Sequence, residues 1–311
     1  MRILFATDGS AAADRARDLL AGLRLPHDTY IRVAGVRRHG SSPVGTGWPF
    51  AGGQAASIAS AEVHGAATAV AIPVEDHLSM ILDTAVGAVE GPGRRVDRVI
   101  LDGRPGSAIV DQAREMAADL VVVGNRGHGT IESMLLGSVS REVVDHVRCS
   151  VLVVRGTGVQ NVLFATDGSQ GARMAERAIG AWPMFADSTI RACSVAQTTL
   201  PTPLGGAPGL YDQVIEQYEE DVDEARRSAA SEAESAAKRL TDAGLRASWE
   251  QRDGDPAGEV LRAAAAREAD LIVTGTRGNT GLSRLLLGSV AGNVAGHAHC
   301  SVLVVREASP A

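Results

Sequence analysis

The sequence predicts an α/β fold built as two tandem domains, each a doubly wound parallel sheet. Three observations carry this. The chain has 311 residues, which suits two domains of about 150 better than one. It repeats itself: Ile3-Leu4-Phe5-Ala6-Thr7-Asp8-Gly9-Ser10 returns 159 residues later as Val162-Leu163-Phe164-Ala165-Thr166-Asp167-Gly168-Ser169. Likewise Cys149-Ser150-Val151-Leu152-Val153-Val154-Arg155 returns 151 residues later as Cys300-Ser301-Val302-Leu303-Val304-Val305-Arg306. A period this long marks duplicated domains rather than a solenoid, and the shrinking offset places a net insertion inside the first copy. The third observation is the regular exchange of unbroken apolar runs with helical patterns, which implies a parallel sheet covered on both faces. The domains are expected at residues 1–156 and 160–307.

Each copy opens on an apolar strand that ends at Asp-Gly-Ser. Ser10 and Ser169 are expected to cap the helices Ala11–Gly22 and Gln170–Ala181. A second strand follows at residues 30–36 and again at 189–195. In the second copy, residues 211–243 are charged, alanine-rich and nearly free of breakers, so they read as one long helix. The first-copy counterpart is shorter, at residues 73–89, after a loop over 40–53. A third strand ends at Asp102-Gly103-Arg104-Pro105, matched by Asp253-Gly254-Asp255-Pro256. Then come a helix, the strand ending at Gly124 or Gly275, a last helix and the Val-Leu-Val-Val strand.

Composition narrows the function. Net charge is −7 with a pI near 5.6, which argues against nucleic acid or an anionic membrane as a general partner. The N-terminus runs straight into a strand, without the apolar region and cleavage site of a signal peptide. No apolar run approaches the ~18–20 residues of a membrane span. Cys149, Cys193 and Cys300 have no ligand or disulfide spacing and read as buried thiols, so a cytoplasmic setting is expected.

The residues suited to chemistry gather where open parallel sheets bind ligands, at the carboxyl ends of the strands where strand order reverses. Gly124-Asn125-Arg126-Gly127 is followed, after nine residues, by Gly137-Ser138. Gly275-Thr276-Arg277-Gly278 is followed at the same spacing by Gly288-Ser289. Glycines let backbone N–H groups approach an anion. The Gly-Ser pair opens a helix whose free N–H groups and positive dipole end favour phosphate. Ser138 and Ser289 can add hydroxyl donors. Asp8 and Asp167 stand at the tip of the first strand, either as turn-forming aspartates or as partners of a ribose hydroxyl or a divalent cation. Ala6, Thr7, Ala165 and Thr166 would line a base. Gly35 and Ser194 are read as ending the second strand, where their backbone groups could meet an adenine edge. Arg126 and Arg277 could pair with phosphate or be solvated. His128 is a weak candidate base, because its counterpart is Asn279.

With these motifs in view, the chain resembles a tandem universal stress protein of the ATP-binding branch. Gly-x2-Gly-x9-Gly-(Ser/Thr) stands intact in both copies, and Thr-Asp-Gly-Ser and Cys-x-Val-Leu-Val-Val match as well. The resemblance implies a Rossmann-like fold akin to the adenine-nucleotide α-hydrolases. It also implies one ATP (or ADP or AMP) per domain, with magnesium as an accessory ion held indirectly by Asp8 and Asp167. In the first copy it implicates Ala6, Thr7, Asp8, Gly35, Gly103, Val123, Gly124, Gly127, Gly137, Ser138, Val139 and Ser140. In the second it implicates Ala165, Thr166, Asp167, Ser194, Gly254, Thr274, Gly275, Gly278, Gly288, Ser289, Val290 and Ala291.

Two departures stand out. The second-strand histidine common in the family is Ala34 or Cys193 here. The serine after Val139 becomes Ala291 in the second copy, so the second site is expected to be the weaker for want of a phosphate donor. The resemblance further implies that the domains pair through their closing strands, with a homodimer as a further assembly.

Its expected role is a regulatory binder in stress response, with at most weak ATPase activity. There is no P-loop Gly-Lys-Ser/Thr, and Lys238 is the chain's single lysine, which leaves neither copy the usual ammonium for phosphoryl transfer. The alternatives are a slow ATP-hydrolysing or α-hydrolase-type enzyme, whose Ser-Gly-Gly-x-Asp-Ser-like loop is missing after the first strand, and a structural member with vestigial sites.

Overall fold

The computed structural model describes residues 1–37, 74–127, 136–197, 210–276 and 287–307. The loop expected over 40–53, and Arg277, Gly278, His128 and Asn279, lie outside these residues.

Five strands form in each copy, the inner ones from apolar runs whose side chains can be buried on both faces. In the first copy these are β1 (Arg2–Ala6), β2 (Thr29–Arg37), β3 (Arg94–Asp102), β4 (Leu120–Gly124) and β5 (Ser150–Val154). In the second they are β6 (Asn161–Ala165), β7 (Thr189–Ala196), β8 (Arg246–Asp253), β9 (Leu271–Gly275) and β10 (Ser301–Val305). The four inner strands β4, β5, β9 and β10 are buried at every position, as parallel strands covered on both faces must be.

The sheet order is β3-β2-β1-β4-β5-β10-β9-β6-β7-β8. Each half is parallel, and β5 runs antiparallel to β10 with Val153 opposite Val302, Leu152 opposite Leu303 and Val151 opposite Val304. The helices are α1 (Ala11–Gly22), α2 (Val74–Val89), α3 (Pro105–Glu115), α4 (Ser138–His146), α5 (Gln170–Ala181), α6 (Leu210–Asp242), α7 (Pro256–Ala266) and α8 (Ser289–His297). One face of the sheet packs on α1, α2, α5 and α6 through residues such as Leu19, Leu20, Leu82, Ile179 and Leu240. The other packs on α3, α4, α7 and α8 through Ile109, Val143, Val260 and Val294. Aromatics are only 3% of the chain, so these cores are aliphatic with Phe5, Phe164 and Phe185 among the largest fully buried side chains.

Ser10 and Ser169 do cap their helices, accepting from Ala13 N and Ala172 N at 3.3 Å. The long helix starts and stops one residue before its expected bounds, within the usual ambiguity of helix ends. All three cysteines are free and buried. Burial pushes the Cys149 and Cys193 thiols up to about 12 and Cys300 up to about 11, so none is a thiolate near neutrality. No described helix is long and apolar enough to cross a membrane.

Candidate functional site

In each half, strand order reverses between β1 and β4, or β6 and β9, and the motif residues meet above that gap. The chain leaves β1 by a tight turn. Thr7 N donates to Ala34 O at 2.9 Å, Gly9 takes a φ of 74°, and Ser10 N donates to Asp8 Oδ1 at 3.0 Å. The left-handed backbone at Gly9 is one that a side chain would strain. The second copy repeats the turn, with Gly168 at φ 72° and Ser169 N donating to Asp167 Oδ1 at 3.0 Å. Both aspartates are exposed, and one oxygen of each secures the turn.

The described residues that follow β4 lie against this turn. Asn125 N donates to Val154 O at 3.0 Å, and Gly137 N returns to Asn125 O at 2.8 Å. Gly288 N makes the matching bond to Thr276 O at 2.7 Å. Gly127 lies against Asp8: a Cβ there would come within 2.4 Å of Asp8 Oδ2. Ser10 Oγ also donates to Arg126 O at 3.4 Å. Asn125 Oδ1 is buried without a hydrogen-bond partner among the described residues.

Gly137 and Gly288 are the N-caps of α4 and α8, and neither helix start carries a side-chain cap. The first-turn N–H groups of Ser138, Val139 and Ser140, and of Ser289, Val290 and Ala291, have no intrahelical acceptor. Ser138 and Ser289 are exposed, whereas Ser140 and Ala291 are buried. Each copy therefore joins an exposed carboxylate to an uncapped helix start, an arrangement suited to hydroxyl and anion together.

Several sequence expectations change at this point. Gly35 and Ser194 do not end their strands, which run on to Arg37 and Ala196. Backbone groups alternate sides along a strand. Ala34 O points to β1 and Arg37 O to β3, where it accepts from Gly103 N at 3.0 Å; Gly35 thus faces β3. The peptide groups of Val36 turn toward the gap beyond Thr7. By the same parity Val195, not Ser194, faces the second site, since Cys193 O accepts from Thr166 N and Ala196 O from Gly254 N. What Gly35 does supply is room: a Cβ there would meet Leu78 Cδ1 at 2.7 Å. Gly103 and Gly254, with φ of 120° and 130°, turn the chain at the end of β3 and β8 beside this gap.

Gly124 and Gly275 also serve packing. A Cβ on Gly124 would stand 2.8 Å from Ala12 C and O, and one on Gly275 only 2.3 Å from Gly171 C. The bare strand ends let the first turns of α1 and α5 approach the sheet.

Ser140 donates its hydroxyl to Gly124 O at 2.6 Å in a buried bond, so that hydrogen serves the fold and not a phosphate. In the second copy Ala291 has no hydroxyl, but Thr274 Oγ1 donates to Gly275 O at 3.1 Å. Thr274 stands where the first copy has Val123. The two copies satisfy the same carbonyl from different positions, and the change to Ala291 removes no phosphate donor. Ser140→Ala is accordingly expected to lower stability by about 1 kcal/mol, the net worth of one hydrogen bond. Adding Val123→Thr should restore part of it, as read by urea unfolding.

Comparison with known proteins shows the family. The profile of the universal stress protein family matches residues 1–155 and 158–306. The chain belongs to the universal stress protein family. A universal stress protein of Mycolicibacterium smegmatis is 27% identical over 310 residues, covering 98% of this chain and 96% of that protein. One from Methanocaldococcus jannaschii is 36% identical over 151 residues, covering 48% of this chain and 82% of its own length. Among solved structures, a universal stress protein from Archaeoglobus fulgidus superposes over 99% of this chain and 97% of its own, with a TM-score of 0.56 at 16% identity; at that identity the likeness concerns the fold.

Proposed function

We propose that this universal stress protein binds one adenine nucleotide in each domain, ATP foremost, and acts as a regulatory binder rather than as a committed enzyme. The observation that carries the reading is the pairing, in both copies, of an exposed Asp8 or Asp167 with an uncapped helix start at the strand-order switch. Phosphates would sit on the N–H groups of Ser138, Val139 and Ser140, and of Ser289, Val290 and Ala291, where a helix end favours anions. The carboxylates of Asp8 and Asp167 would take ribose hydroxyls or a water of a magnesium ion arriving with the triphosphate. The base would lie against Ala6 and Thr7, or Ala165 and Thr166, with its edge on the peptide groups of Val36 or Val195.

Among the described residues no group of three His, Cys, Asp or Glu forms a metal cluster. Magnesium in this reading is a companion of the nucleotide. Equilibrium dialysis of nucleotide-free protein with ATP and magnesium tests the proposal. Saturation near two ATP per chain, with the two sites of similar affinity, is the expected result. Saturation at one, or equal retention of ATP and a non-nucleotide polyanion such as tripolyphosphate, would contradict it.

A further inference from the structure

The two helices that start at Gly137 and Gly288 are held at their far ends by arginines of the opposite domain. Arg306, the residue after β10, donates from both terminal nitrogens to Val147 O and Val144 O at the end of α4. Arg155, the residue after β5, donates to Ala295 O at 2.6 Å in the last turn of α8 and to Cys300 O at 3.4 Å just before β10. The backbones cross in the same reciprocal way: Arg306 N donates to Ser150 Oγ at 3.2 Å, and Arg155 N and Gly156 N to Ser301 Oγ at 3.1 and 3.2 Å.

The last carbonyls of a helix lack intrahelical donors and carry the negative end of its dipole. A guanidinium suits them because its planar fork reaches two carbonyls at once, which an ammonium does not. Burial pulls Arg155 down to about 10, so it remains charged near neutrality, and its Nε is buried without a partner among the described residues. Burying a cation is costly unless it is well placed, and here the placement is the end of a phosphate-facing helix.

Each of these helices is nine residues long, about 13 Å at 1.5 Å per residue. A rod this short moves as one piece, so what seats its C-terminus also sets where its first N–H groups lie. We propose that Arg155 and Arg306 are positioning residues that act across the domain boundary, each seating the phosphate-binding helix of the other domain. Each nucleotide site is thereby completed by its neighbour. This inference rests on the nucleotide reading above.

The test uses the full chain with one cradle disabled. In a Gly288→Val background only the first site remains, and Arg306→Met is expected to weaken ATP there roughly fivefold or more, the lower range of site-to-site coupling. Arg155→Met in that background should leave the first site near its starting affinity. In a Gly137→Val background the pattern should invert, with Arg155→Met now the damaging change. Arg306→Lys, which keeps the charge but not the fork, should fall between Arg and Met and guards against a Met variant that fails to fold. Equal losses at both sites from either arginine would assign these residues to domain pairing alone and overturn the proposal, as would no loss at all. If Gly288→Val already binds no ATP, the cradle reading itself fails and takes this inference with it.

Discussion

Valine at both Gly137 and Gly288 is expected to eliminate ATP binding while the protein stays folded. Gly137 has φ −63° and ψ 154°, extended backbone open to any residue, so conformational strain plays no part. The effect comes from space. A Cβ at Gly137 would stand 3.2 Å from both Arg126 Cα and Asn125 O, pressing on the backbone of the residues that follow β4. The branched methyls would also stand where a phosphate must approach the N–H groups of Ser138 and Val139. Losing even two charge-assisted hydrogen bonds, at about 1.5–3 kcal/mol each, amounts to at least a ~100-fold loss of affinity, since 1.4 kcal/mol is a factor of ten. Isothermal titration of the double variant, with circular dichroism to establish its fold, reads this directly. Binding at wild-type affinity would mean that the phosphates lie elsewhere.

The neighbouring glycines should respond in stability instead. Gly275→Ala places a Cβ 2.3 Å from Gly171 C, 2.5 Å from Gly171 O and 2.8 Å from Ala172 N. All three are backbone atoms of the first turn of α5, which cannot swing aside as a flexible side chain would. Overpacking of a core typically costs 1–3 kcal/mol, and a clash this close with main chain belongs at the upper end, about 3 kcal/mol. Gly124→Ala, whose nearest contacts are at 2.8 Å, should cost less, about 2 kcal/mol. Urea unfolding with an unchanged m-value would register both as shifts in midpoint. A Gly275→Ala protein within 0.5 kcal/mol of wild type, the range of an ordinary surface substitution, would show that this helix start is not packed as described.

Much of the fold is legible in the residues because burial on both faces leaves unbroken apolar runs, and because Asp-Gly-Ser both ends a strand and caps a helix. The repeat then lets each copy check the other. What the chain hides are relations that only three dimensions create. Whether Gly35 or Val36 faces the site is a matter of strand parity, fixed by where Thr7 N finds its acceptor, and no side chain signals it.

Serine at 140 and threonine at 274 look like unrelated differences between the copies, since they align with Ala291 and Val123. Only the fold brings both hydroxyls to the equivalent carbonyls of Gly124 and Gly275. Gly124 belongs to a phosphate-type motif by spacing, yet its lack of a side chain answers to the approach of α1. The arginine that follows each Val-Leu-Val-Val strand is visible as part of the repeat. That each reaches a helix of the other domain follows from the antiparallel meeting of β5 and β10, which local pattern does not encode.

In the proposed reading both copies hold a nucleotide on the same elements. Native mass spectrometry of the intact chain with ATP and magnesium tests it most directly, because it counts ligands on single molecules. The wild type should add two nucleotides, Gly137→Val and Gly288→Val one each, and the double variant none. A wild type that adds one nucleotide, lost in Gly137→Val but untouched by Gly288→Val, would contradict the account by showing the second cradle to be empty.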